Sequence, residues 1–127
     1  MSMPSVPVSW GELIDKLTIL RIKAARFDGA ALAHVRRELD LLEKIAAPAL
    51  AGDVAELAVL LARINESLWQ IEDRIRAKEA AGSFDAEFVA LARAVYHSND
   101  ERGRIKRQIS QALGSALEEQ KQYTSYR

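Results

Sequence analysis

The chain has 127 residues, no cysteine, two histidines, and eighteen Lys+Arg balanced by eighteen Asp+Glu. That length fits one core of ordinary domain size, and the missing cysteine excludes a disulfide frame, a thiolate metal site and a thiol nucleophile. Zero net charge excludes attraction to nucleic acid or anionic membrane through the field of the whole molecule, and no apolar stretch reaches the ~18 residues of a membrane span.

Alanine and leucine supply 36 residues, and no proline follows Pro48, so an all-α chain is expected. Pro4 and Pro7 make residues 1–8 an extended arm. Helix 1 starts at Ser9, where Ser9 and Glu12 spell an S-x-x-E capping box. Leu13, Leu17, Leu20, Ala24 and Phe27 then line one face. Asp28-Gly29 interrupts the pattern, and Asp28 can cap a second helix carrying Leu32, Val35, Leu39, Leu42 and Ala46. The three-and-four spacing crosses the break with little drift. It favours one long arm, kinked or broken near Asp28-Gly29, over a hairpin.

Asp53 and Glu56 form a second capping box at the start of helix 3. Its Leu57, Leu61, Ile64, Leu68, Ile71 and Ile75 make a heptad seam for near-parallel packing. After a short turn with Gly82, Asp85 caps helix 4, and Phe84 is placed to staple onto Val89. Helix 4 ends near Gly114 and lies antiparallel to helix 3. The tail over 115–127, with Tyr123 and Tyr126, is expected to dock. Residues 1–127 thus read as one antiparallel bundle of long helices.

Helix 4 breaks its own pattern. The heptad of Phe88, Leu91 and Val95 meets Ser98 and Arg102 before Ile105. Antiparallel pairing centred near residue 82 sets Asn65 opposite Ser98 and Asn99, Leu61 opposite Arg102, Trp69 near Tyr96, and Glu72 near Arg93. A polar layer of Asn65, Ser98, Asn99 and Arg102 is therefore expected, with Trp69, Glu72 and Tyr96 one turn away. Unpaired buried polar groups cost about 1–3 kcal/mol each, so the layer needs a reason. A network that fixes helix register is preferred over a pocket for a polar ligand. In the pocket reading, Arg102 and Arg93 hold an anion, Asn65 and Asn99 orient it, and Asp15 or Glu72 acts as acid, base or metal ligand. On helix 1, Asp15, Thr18, Ile19 and Ile22 lie off the main face, and two isoleucines there suggest self-association.

Catalytic signatures such as H-E-x-x-H, a P-loop, G-x-S-x-G or G-x-G-x-x-G are absent. Glu72 and Arg76 read as an ordinary i,i+4 pair. His34 with Glu38, and His97, read as surface groups. Arg102, Arg104, Lys106 and Arg107 point in different directions around the helix and read as a solvated surface, not a nucleic-acid site. Glu12 and Asp15 form an E-x-x-D pair of the kind helical nucleotide pyrophosphatases use with magnesium. The second pair such enzymes need is missing, because Glu72 and Asp73 are adjacent. No metal and no cofactor is expected.

The block from Gly11 to Leu20, followed by Ile22-Lys23, resembles the opening of a bacterial domain-of-unknown-function family. Leu68-Trp69, Ile71-Glu72-Asp73, Ile75-Arg76, Phe84-Asp85, Leu91-Ala92-Arg93, Val95-Tyr96 and Asn99-Asp100 extend the resemblance. Gly114-Ser115, Glu119, Lys121, Tyr123 and Tyr126 complete it over nearly the whole chain. Arg21 and Gly103 depart from the family pattern, which has an acidic residue and a helix-friendlier residue there. The family has no established activity and implies no catalytic residues. Its similarity to segments beside bacterial surface-glycan enzymes implies a cell-envelope context.

These observations point to a non-catalytic binding or protein-interaction module that forms a homodimer. The alternative is an enzyme or receptor for a small anionic ligand: a nucleotide, sugar phosphate or carboxylate. No Lys or Arg precedes Lys16, so a cytoplasmic chain without a secretory leader is expected.

Overall fold

A computed structural model describes residues 1–115 and 120–126. Helix α1 spans Trp10–Arg26, α2 Gly29–Ala46, α3 Gly52–Ala80 and α4 Ala86–Ala112, with a 3-10 turn at Ala47–Ala49. No strand occurs among the described residues, and the architecture is the expected all-α bundle.

The local signals work unevenly. Ser9 caps α1 by accepting from the Glu12 N–H at 3.2 Å. The Glu12 carboxylate does not complete the box, because it pairs instead with Lys106 on α4. Asp85 caps α4, its Oδ1 accepting from the Phe88 N–H at 2.9 Å. Phe84 packs edge-on against Phe88, with ring centroids 5.2 Å apart, where Val89 was expected. At α3 the cap position is Ala51 and no side chain caps the helix. Gly52, at φ +55°, turns the chain into the helix. Asp53 therefore lies inside the first turn, where its charge suits the helix dipole.

The first arm breaks where expected, but it folds back. Phe27 and Asp28 are extended, and Gly29 adopts φ +58°. Lys16 pairs with Glu38 at 3.0 Å and Arg21 with Glu43 at 3.3 Å. Partners 22 residues apart would be separated by roughly 33 Å along a continuous helix, so α1 and α2 form a hairpin. Unbroken phase in the apolar stripe does not discriminate, because two helices packed on each other also turn their stripes inward.

The core lies among α1, α3 and α4, built from Ile14, Val54, Ala58, Leu61, Ile105 and Ile109. The buried seam of α3 is Val54, Ala58, Leu61, Asn65 and Leu68, rotated from the expected Leu57-Leu61-Ile64-Leu68 line. Leu57 and Ile64 sit at its edge, half-buried. The rotation follows from α3 packing against both α1 and α4, so its most buried line faces between two neighbours. Arg74 meets Glu87 at 2.6 Å and Lys78 meets Asp85 at 2.8 Å. These pairs put the centre of the α3–α4 hairpin near residue 82, as expected.

Lys78 and the Phe88 N–H hold the Asp85 carboxyl well below its ordinary range, at about 2. A depressed carboxylate contributes stability in full above its ordinary value of 3.8 and loses it as pH falls toward 2. An NMR titration should place the Asp85 midpoint near 2. The Asp85→Asn variant should lose less stability than the parent between pH 3.8 and 2. Equal acid sensitivity would show that the cap is not formed.

Candidate functional site

The polar layer centres on Asp15, which is only 3% exposed. Its Oδ1 accepts from Asn65 Nδ2 and from Arg102 Nε, each at 2.9 Å. Its Oδ2 accepts from Arg102 Nη2 at 2.5 Å. Asn65 Nδ2 also donates to Thr18 Oγ1 at 2.9 Å, and the Thr18 hydroxyl donates to the Asp15 carbonyl at 2.7 Å. One carboxylate on α1 therefore joins an amide on α3 and a guanidinium on α4. Arg102 keeps about a quarter of its side chain, 26%, in solvent, so the pair lies at the edge of the interior.

One turn away Lys106, itself 6% exposed, reaches Glu12 at 2.6 Å. Glu12 and Asp15 thus meet Lys106 and Arg102 in antiparallel order. The basic run is not a uniformly solvated surface, as its sequence suggests. Residues 102 and 106 lie on one face of α4 at i,i+4, and the acidic pair of α1 draws that face inward. The same geometry covers the helix 1 face that suggested self-association. Asp15 and Thr18 on that face meet α3 and α4 of their own chain.

The close approach of α1 to α4 depends on Gly11. A Cβ there would stand 2.3 Å from the Lys106 carbonyl oxygen. The Gly11 N–H donates to Ser110 Oγ and the Trp10 N–H to Ser115 Oγ, each at 3.0 Å. The end of α4 thereby satisfies amides that an isolated helix start leaves without partners.

Beside the layer lies a groove of about 590 Å³. Ile19 and Ile22 of α1, Leu68, Trp69, Glu72, Asp73 and Arg76 of α3, and Val95 and Asn99 of α4 line it, with Asn65 and Arg102. Of the candidate residues, Asn65, Trp69, Glu72, Asn99 and Arg102 are brought together here. Asp15 is held in the layer by its two donors. Tyr96 lines a different pocket, shared only through Asn99. Arg93 is exposed and lines neither. Glu72 and Arg76 make the expected i,i+4 contact, at 3.9 Å. Trp69 is braced by Phe27, with centroids 6.2 Å apart, and by the Arg26 guanidinium 5.3 Å from its ring. Arg26 also bonds Glu66 and holds that carboxyl below its ordinary range.

Across α4 the Tyr126 hydroxyl donates to Asp100 Oδ2 and lies 3.3 Å from His97 Nδ1. Tyr96, His97 and Tyr126 form an aromatic cluster with centroids 4.9 to 5.1 Å apart. Glu119, and residues 116–119 and 127 of the expected tail, lie outside the described residues. Among the described residues, no helix is long and apolar enough to cross a membrane. None of their acidic and histidine side chains form a group of three placed for a metal ion.

Sequence reasoning found Asn65 and Arg102 but missed the roles of Glu12, Thr18, Lys106, Gly11 and Ser110. One signal was available: acids at i,i+3 on one helix complement bases at i,i+4 on an antiparallel neighbour. A family of unknown function, DUF6165, matches the chain over residues 4–126. No curated protein and no solved structure matches it.

Asp15→Ala leaves Arg102 and Asn65 without their acceptor and should destabilise the fold by about 3 kcal/mol, the low end for a broken buried pair. Chemical denaturation measures this. The triple change Asp15→Leu, Asn65→Leu and Arg102→Met should recover most of the loss, since it leaves no unmatched charge. A harmless Asp15→Ala would overturn the assigned network. Gly11→Ala should lower stability by about 1–3 kcal/mol through overpacking against the Lys106 backbone. An unchanged urea midpoint would contradict that contact.

Proposed function

For a chain that belongs to DUF6165, a family of unknown function, we propose a non-catalytic binding module that acts as a homodimer and uses the groove beside Trp69 for recognition. The strongest support is the completeness of the polar layer. Asp15, Thr18, Asn65 and Arg102 are committed to one another. Among the described residues no buried side-chain nitrogen or oxygen lacks a partner. General acid–base chemistry needs a group within reach of a substrate proton, and Asp15 faces its own donors instead. The groove offers an apolar wall of Ile19, Trp69 and Val95 with Glu72 and Asn99 at its polar edges. A few polar groups around an apolar body are the usual make-up of a recognition site.

An anion seated in the layer would have to compete with Asp15 for Arg102, so the layer supports register better than ligand capture. Pairing of two copies draws support from α2, which packs chiefly on α1. It leaves Leu41 and Ile45, one turn apart, 49% and 51% exposed. We place the module in the bacterial cytoplasm, in a cell-envelope glycan context, the setting that its sequence and resemblance imply.

Sedimentation at tens of micromolar should give the mass of a dimer, and Leu41→Lys with Ile45→Lys should give a monomer of unchanged helicity. A monomeric parent protein would refute the pairing. In an amide NMR titration with a fragment library, shifts should cluster at Ile19, Trp69, Val95 and Asn99. Shifts confined to other surfaces would refute the groove as the recognition site.

A further inference from the structure

Asn65 does more than join the polar layer. Its Nδ2 donates to Asp15 Oδ1 and to Thr18 Oγ1, each at 2.9 Å. Neither neighbour can donate in return, because Asp15 is paired as a carboxylate with Arg102 and the Thr18 proton goes to the Asp15 carbonyl. The amide is therefore fixed in one orientation, with Oδ1 turned away from both. That oxygen accepts no hydrogen bond among the described residues, although Asn65 is only 5% exposed. Every fully enclosed side-chain nitrogen or oxygen among them has a partner, so Oδ1 keeps an opening. The opening is the groove beside Trp69, which Asn65 lines.

An acceptor at the floor of the groove disfavours an anion there and calls for a donor. Arg102 does not reverse this, because Asp15 neutralises it. Asn99 lines the same groove, half-buried and without a hydrogen bond among the described residues. Its carbonyl oxygen can join Asn65 Oδ1 as a second acceptor. Two turns along α3, roughly 10 Å from Asn65, Glu72 and Asp73 line the other end. Arg76 lies 3.9 Å from Glu72, outside hydrogen-bond range, and its side chain is 80% exposed. Asp73 makes no hydrogen bond or ion pair among the described residues, and the nearby Arg26 is engaged by Glu66. That end of the lining thus sets the carboxylates of Glu72 and Asp73 against the single guanidinium of Arg76. Between the two ends, Leu68, Trp69 and Val95 make an apolar floor.

We propose that this groove binds an aliphatic diamine. One ammonium donates to Asn65 Oδ1 and the Asn99 carbonyl, and the other sits between Glu72 and Asp73 in charge-assisted hydrogen bonds. The methylene chain lies along Leu68, Trp69 and Val95. A volume of about 590 Å³ is ample for such a molecule. The inference rests on the reading of the groove as the recognition site, and it fixes the charge of what is recognised. Arg102 invites an anion in the bare sequence, whereas in the fold Asp15 holds that guanidinium and the remaining groups of the groove accept.

Calorimetry and NMR on the full chain at low salt, with cadaverine, pentylamine and glutarate as probes, test this. Cadaverine should bind and shift the Trp69 indole and the Asn65 and Asn99 side-chain amides. Pentylamine, which lacks the second amine, should bind roughly fivefold or more weakly, and glutarate should not bind. Glu72→Gln with Asp73→Asn should weaken cadaverine binding at least tenfold. Both side chains are exposed, so the double variant should keep the parent melting temperature without ligand. The proposal fails if cadaverine gives no shift at about 10 mM, if pentylamine or glutarate binds as tightly, or if the double variant keeps the parent affinity. Fragments that shift Ile19, Trp69, Val95 and Asn99 while cadaverine does not would overturn the diamine alone. Silence of the groove toward both would overturn the recognition site with it.

Discussion

The Asp15 carboxylate is the constraint on which the bundle depends. Taking a charge out of water costs several kcal/mol unless opposite charge and hydrogen bonds replace the lost solvent. Asn65 and Arg102 replace it here, from two different helices. An apolar contact tolerates sliding, because one methyl group is much like the next. A carboxylate with two directed donors tolerates little, since a slip of one residue would bury it without partners. The core residues Ile14, Leu61 and Ile105 supply apolar burial around this point, and the polar layer selects which of their possible registers is adopted.

The neighbouring contacts strengthen that selection. Glu12 with Lys106 repeats the α1–α4 charge match one turn along, and Gly11 lets the two backbones approach where the Ser110 hydroxyl meets the helix start. By contrast, α2 packs on α1 with Val35 and Ala46 buried and Leu32, Leu39 and Leu42 half-buried, and adds exposed ion pairs at its rim. Exposed pairs contribute little to stability. The polar lock therefore joins α1, α3 and α4, while α2 packs on α1 with Leu41 and Ile45 on its outer side.

How much of this is legible in the sequence depends on the kind of signal. Local chemistry is readable, so the Ser9 and Asp85 caps, the Gly114 stop and the turn at Gly82 are found where expected. The register of α3 against α4 is also readable, because a short turn leaves only one antiparallel pairing. The α1–α2 hairpin is not, since helical phase carries no information about whether a chain continues or reverses through two non-helical residues. The partners of Asp15 are half legible. The polar break in helix 4 exposes Arg102 as anomalous, and the isolated carboxylate on helix 1 exposes Asp15. Joining them needs the packing of α1 against α4, two elements separated by the rest of the chain.

The basic run of α4 shows why neutrality of the whole chain conceals local charge. At 3.6 residues per turn, positions 104 and 107 lie roughly 200° and 140° around the helix from position 102, whereas position 106 lies only about 40° from it. One stretch of sequence therefore supplies two chemically different faces. Arg102 and Lys106 neutralise the buried end of α1, and their charge is invisible beyond a few ångströms. Arg104 and Arg107 instead line a pocket shared with Tyr123 and Tyr126. A helix that locks the core with one face is held rigid, and rigidity on that face fixes the positions of charges on the other. The same ion pair that sets the register of the bundle thus pre-organises a surface 140° away from it.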